Sequence, residues 1–128
     1  MSDRGKLDAL PVRFPRVFRD YPAPGFEHGE GWADLLAVLF ERLTTILNAD
    51  PQAKFEARQI KEKFSEMRFY WRLHESSRDE TFEEIREAVD AACEKSAGVC
   101  ERCGRQGVRV DTGGWLKTRC VDCDERWE

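Results

Sequence analysis

Four of the five cysteines of this 128-residue chain stand in two Cys-x-x-Cys pairs near its C-terminal end, Cys100/Cys103 and Cys120/Cys123, with sixteen residues between the pairs. Each pair can offer two sulfurs to one ion from a tight turn, and the intervening segment is long enough for one hairpin. The spacing predicts a zinc ribbon over residues 98–128, with one Zn2+ held by Cys100, Cys103, Cys120 and Cys123. Four thiolates in a tetrahedron leave the ion no open position, so its expected role is structural rather than catalytic. A redox disulfide is the competing use of such a pair, but that motif usually stands singly beside a βαβ pattern, which this sequence lacks. Iron–sulfur ligation is a further alternative. The fifth cysteine, Cys93, falls on an apolar helical face and reads as a small core residue.

The net charge is -4, and the stretch from Thr81 to Glu128 holds 11 Asp/Glu against 8 Lys/Arg. That balance is poor for binding driven by phosphates, which needs a net basic face. It suits an acidic surface offered to a basic partner. The opening residues MSDRGKLDAL lack the basic-then-apolar pattern of an export signal, and no apolar run approaches the ~20 residues of a membrane span. A cytoplasmic location is expected, where thiols stay reduced and available to a metal.

Residues 1–30 contain four of the five prolines. They read as an irregular N-terminal arm, packed on the body through Phe14, Phe18, Tyr21 and Phe26, with at most a helical turn near Pro15–Asp20. Residues 31–97 read as an α+β core forming one unit with the ribbon. From Trp32 to Leu47 the large apolar residues recur in steps of three and one, which draws one stripe on a helix; Asn48, Asp50 and Pro51 end it. The stretch 55–73 reads as an antiparallel hairpin with strands 56–63 and 67–73. A helix over 52–66 followed by a single strand is the competing reading. In the second strand, alternation places Met67, Phe69, Trp71 and Leu73 on one face. Thr81-x-x-Glu84 has the form of a capping box opening a helix from Phe82 to about Ser96, which Gly98 stops. The expected fold is therefore α+β, two helices packed on a small antiparallel hairpin, with a C-terminal four-cysteine zinc ribbon docked on the same core.

Nothing in the sequence composes a catalytic constellation. His28 and His74 are the only histidines; neither has a partner nucleophile nearby, and both read as surface or loop residues. No carboxylate pair stands in an apolar setting, and there is no glycine-rich phosphate loop. The reading is of a protein that is not an enzyme. Contacts to nucleic acid or to another partner could come from Lys61, Lys63, Arg68, Tyr70 and Arg72 on the hairpin, with Arg105, Arg109, Lys117 and Arg119 on the ribbon. Glu62 and Glu66 dilute the hairpin's positive field.

Three segments recur in order: His28-Gly-Glu-Gly-Trp32 before a Leu-rich helix, Gln59-Ile-Lys-Glu-Lys-Phe-Ser-Glu-Met-Arg-Phe-Tyr70, and Cys100-Glu-Arg-Cys-Gly104 with Gly113-Gly-Trp-Leu-Lys-Thr118. In this the chain resembles a group of small bacterial and phage proteins that end in a zinc ribbon and have no assigned activity. Where this chain has Ser65 that group typically has Gly, and where it has Cys123 the group often has His. The resemblance implies a bacterial or mobile-element origin, for which immunity proteins and inhibitors of host defence are plausible roles. Together these readings give a non-catalytic protein acting by protein–protein contact, an inhibitor or adaptor. The alternative is a nucleic-acid-binding regulator using the ribbon and the basic, aromatic hairpin.

Overall fold

The stripe that begins at Trp32 becomes the central helix of the molecule. The computed structural model describes residues 5–112 and 115–120, with backbone alone for Glu27, 110–112 and 115–117. In chain order the elements are α1 (Gly5–Arg13), β1 (Phe26–Glu27), a 3-10 turn (Glu30–Trp32), α2 (Ala33–Asn48), β2 (Phe55–Lys63), β3 (Glu66–Leu73), α3 (Asp79–Ser96), β4 (Val108–Thr112) and β5 (Trp115–Arg119). Leu36, Leu39, Phe40, Leu43 and Leu47 of α2 are buried. They meet Ile85, Ala88, Val89 and Ala92 of α3 and the inner residues of β2 and β3 in one apolar core. The fold is a mixture of α and β, with helices on one face of a small sheet.

The sheet is three-stranded in the order β1-β2-β3, and a second, two-stranded sheet pairs β4 with β5. β2 and β3 form the expected antiparallel hairpin, but β1 adds to β2 in parallel, Phe26 opposite Ile60. The expected hairpin thus becomes a mixed sheet. The register slips between Ala57 and Gln59. This bulge puts Phe55, Ala57 and Ile60 on one face although 57 and 60 differ by three. Phe64 and Ser65, with φ of 55° and 65°, make the turn, a pair of left-handed residues suited to the twist of a two-residue hairpin.

The N-terminal segment differs from the irregular arm expected. Gly5–Arg13 is helical despite Pro11, with Leu7 and Leu10 fully buried. A proline so near the end of a short helix removes only one late hydrogen bond. At its start the Lys6 N–H donates to the Glu30 carboxylate at 2.9 Å. Phe14 and Phe18 pack edge-on against Phe40. The Arg16 guanidinium donates to the carbonyls of Leu47, Asp50 and Ala53 at 3.2, 3.4 and 3.0 Å. Those carbonyls lie at and just past the end of α2, where the helical ladder stops.

The capping box is also corrected. α3 starts at Asp79, two residues before Thr81, and its N-cap Arg78 makes no side-chain cap bond. The Thr81 hydroxyl instead donates to the Asp50 carboxylate at 2.8 Å, which also accepts the Arg78 N–H at 2.9 Å. A carboxylate from the α2–β2 loop therefore caps α3 across the fold. Those hydrogen bonds, the Arg78 amide first, hold Asp50 below the ordinary carboxylate range. A group depressed in the folded state stabilises fully above its unfolded value, and that stabilisation is lost as pH falls through the lowered one. Melting temperature is expected to drop as pH falls below about 4, the ordinary value of an aspartate. Asp50→Asn should start lower at neutral pH and drop less. Acid loss of any metal held by the cysteines would be common to both proteins, so the difference between the two melting curves isolates Asp50. Parallel curves would refute the assignment.

At the other side of the sheet, the Met67 N–H donates to Ser96 Oγ at 2.8 Å. The Phe69 backbone meets the sulfur of Cys93. Cys93 is thus part of the α3–β3 packing, as its place on the helical face suggested.

Candidate metal centre

Val99 leaves α3 by a short turn, Gly98 N–H to Lys95 carbonyl and Val99 N–H to Ser96 carbonyl, and delivers Cys100 into a knuckle. The Cys100 N–H donates to the Arg105 carbonyl at 2.8 Å, and the Gly104 N–H donates back to the Cys100 carbonyl at 2.8 Å. Gly104 closes this loop at φ 86°, a conformation that a side chain would strain. The second strand of the ribbon returns Cys120 beside it. Val108 to Thr112 pair with Arg119 to Trp115, and the Glu101 N–H donates to the Thr118 carbonyl at 3.2 Å.

The sulfurs of Cys100, Cys103 and Cys120 all lie within 4.8 Å of one another, with Cys103 and Cys120 3.4 Å apart. Thiolates at ~2.3 Å from a tetrahedral zinc would stand about 3.8 Å apart. Three of the four expected ligands are therefore gathered at a spacing that a single ion can hold. Cys100 and Cys120 are buried and Cys103 is exposed. Cys123 lies outside the described residues. Burial pushes the Cys93 thiol up to about 11; it stays protonated at neutral pH, when a metal ligand must be a thiolate.

The knuckle is held to the core by the turn before α2, a role the sequence did not reveal. The Gly31 N–H donates to the Glu101 carbonyl at 2.8 Å. The indole Nε1–H of Trp32, itself fully buried, donates to the Val99 carbonyl at 3.0 Å. A Cβ on Gly31 would stand 2.2 Å from the Cys100 carbonyl oxygen and 2.7 Å from the Cys103 nitrogen. On the opposite side the Thr118 hydroxyl donates to the Ser65 carbonyl at 2.6 Å, and Arg109 Nε donates to Ser65 Oγ at 2.6 Å. The ribbon is thus gripped at both ends of the core, by the Gly31–Trp32 turn and by the tip of the β2–β3 hairpin. Between the knuckle, α2 and α3 opens a groove of about 380 Å³ lined by Leu35, Leu39, Ala88, Ala92 and Val99.

His28 is not the surface residue expected. It is 8 % exposed, with its ring between Phe26 and Trp32 and its Nδ1 2.7 Å from the Gly29 carbonyl. A carbonyl only accepts, so Nδ1 carries the hydrogen. His74 Nε2 meets the Glu56 carboxylate at 2.5 Å, which also accepts from Arg58 at 2.9 Å. These bonds, that from His74 first, hold Glu56 below the ordinary carboxylate range.

The ribbon's basic residues separate. Arg119 is 3 % exposed and is not a surface contact, contrary to expectation. Arg109 is exposed but bound to Ser65, Arg105 is exposed, and the side chain of Lys117 lies outside the described residues. On the hairpin, Lys61, Lys63, Arg68, Tyr70 and Arg72 do come together, all on the sheet face turned away from the helices. Among the described residues, no helix is long and apolar enough to cross a membrane.

Compared with protein-family models, with curated proteins and with solved structures, the chain matches none.

Proposed function

We propose that this protein is a non-catalytic binding module stapled by one structural zinc ion, with Cys123 as the fourth ligand beside Cys100, Cys103 and Cys120. The observation that carries this reading is the gathering of three sulfurs, two of them buried, inside a knuckle whose backbone is pressed against Gly31. An ion so enclosed by thiolates would lack a position for substrate. It would fix the ribbon on the core and so fix the surfaces that flank it. The working surface would then be the exterior of the core, which suits an inhibitor or adaptor of bacterial or phage origin.

The expected result is one equivalent of zinc in freshly prepared, reduced protein by elemental analysis. Cys123→Ser should lose that metal and Cys93→Ser should keep it. Protein isolated under reducing conditions with no tightly held metal would overturn the reading.

A further inference from the structure

Resting on that scaffold reading, we propose that the open face of the β1-β2-β3 sheet is a platform for single-stranded nucleic acid. In sequence the hairpin's cations are interleaved with acids, and the chain as a whole is acidic. The fold sorts them. Directly opposed residues share a face, so Gln59/Tyr70, Lys61/Arg68 and Lys63/Glu66 stand together on the outer side, while Ile60/Phe69 and Glu62/Met67 face the helices.

Two of the acids that dilute the sequence are engaged by local partners, although Glu56 stands opposite Arg72 by register. Glu62 lies on the helix side by register and accepts the Ser65 N–H at 2.9 Å. Glu56 is buried and bound by His74 and Arg58. Glu66 stays on the outer face opposite Lys63, and Glu27 holds the register position opposite Lys61. With Arg58 tied to Glu56, four cations, Lys61, Lys63, Arg68 and Arg72, still outnumber them. The acidic excess sits on α3, which holds seven Asp/Glu against Arg86 and Lys95; of the seven, Asp90 and Glu94 line a groove with Arg68 and Tyr70 along β3.

The second observation is aromatic. Lys61 Nζ lies over the Tyr70 ring at 5.6 Å, Arg58 over Tyr21 at 5.3 Å, and Lys63 over Phe64 at 5.5 Å. Tyr70 is 48 % and Phe64 60 % exposed, although large rings usually favour burial. A lysine over an exposed ring can swing out to a phosphate and leave the ring's face to a base. Rings that stack bases beside cations that take phosphates are what unpaired strands require. A duplex hides its base faces and offers only its backbone. Bases on such a platform are held by their faces, so DNA and RNA strands share the chemistry.

The test uses the metal-loaded full chain and fluorescence anisotropy with short oligo(dT), oligo(rU) and a duplex of matched length. Both single strands should bind, within a few-fold of each other, with the duplex at least about tenfold weaker. Three to five phosphate contacts at ~0.7 each give a log–log salt slope of about -2 to -3.5. Tyr70→Ala should weaken binding by about tenfold, and Tyr70→Phe should restore it. The pair Lys61→Glu with Arg68→Glu should weaken it further and flatten the salt slope. Arg86→Glu on α3 should change nothing. Metal content and melting midpoint, measured on each sample, confirm that the variants are folded.

Undiminished binding in Tyr70→Ala and in the charge-reversed pair overturns the proposal, as does a preference for duplex. A folded, metal-loaded protein that ignores both oligonucleotides also overturns it. That result would leave the scaffold reading intact and make the acidic face of α3 the surface for a basic protein partner. A protein without metal fails the scaffold reading instead.

Discussion

Cys120→Ser is expected to release the proposed zinc ion and unfold the ribbon. Structural zinc contributes on the order of 10–16 kcal/mol of apparent binding energy in zinc-finger peptides, coupled to folding. Only a change at another of the proposed ligands acts on a term of that size. The two-stranded β4–β5 sheet is too small to persist without support. Backbone amides over residues 99–119 should lose their protection from hydrogen exchange, and zinc content should fall well below one equivalent. The amides of α2 and α3 should keep most of theirs, because the core of Leu36, Phe40, Leu43 and Ile85 is closed without the ribbon. Full metal content with unchanged exchange would show that Cys120 is not a ligand.

Gly31→Ala is expected to be far more damaging than the addition of one methyl group usually is. Its new methyl would meet backbone, with the Cys100 carbonyl oxygen at 2.2 Å and the Glu101 carbonyl carbon at 2.5 Å, and backbone of a knuckle closed by its own hydrogen bonds cannot easily swing aside. Overpacking of this kind costs typically 1–3 kcal/mol. Losing the Gly31 to Glu101 hydrogen bond adds about 1 kcal/mol. The sum, roughly 3 kcal/mol, should appear as a lower melting temperature together with weaker metal retention. Gly25→Ala has nothing within 4 Å of its new Cβ and serves as the control. Equal melting of the two variants would mean that the ribbon is not seated on the turn before α2.

The two features most legible in the sequence rest on strong local rules. Ligand spacing marked the knuckle and placed Cys100, Cys103 and Cys120 where the fold brings them together. Helical periodicity marked α2 to within a residue. The hairpin was harder to read. The bulge at Arg58 makes the inner residues Phe55, Ala57 and Ile60 run in steps of two and three, which also fits a helix. What the sequence could not show depends on distant partners. α1 looked irregular because Pro11 outweighed Leu7 and Leu10, and the Glu30 carboxylate that caps its start lies 24 residues away. The cap of α3 comes from Asp50, 31 residues before Thr81, so a local capping box was the wrong inference. β1 is two residues long, too short for alternation to register. The glycines at 29 and 31 resembled loop punctuation, yet their neighbours are the carbonyls of Cys100 and Glu101. Arg119 looked like a phosphate contact because charge says nothing about burial.

The bond from Met67 to Ser96 bears on how these molecules behave in a crowd. An outermost strand normally shows bare amides that invite another chain to zip alongside, the first step toward fibrils. Here α3 occupies that position, answering the β3 amides with a hydroxyl and a thiol, and the opposite margin is a strand of only two residues. Concentrated solutions should therefore resist amyloid-like association, and Ser96→Ala would make Met67 the place where it begins.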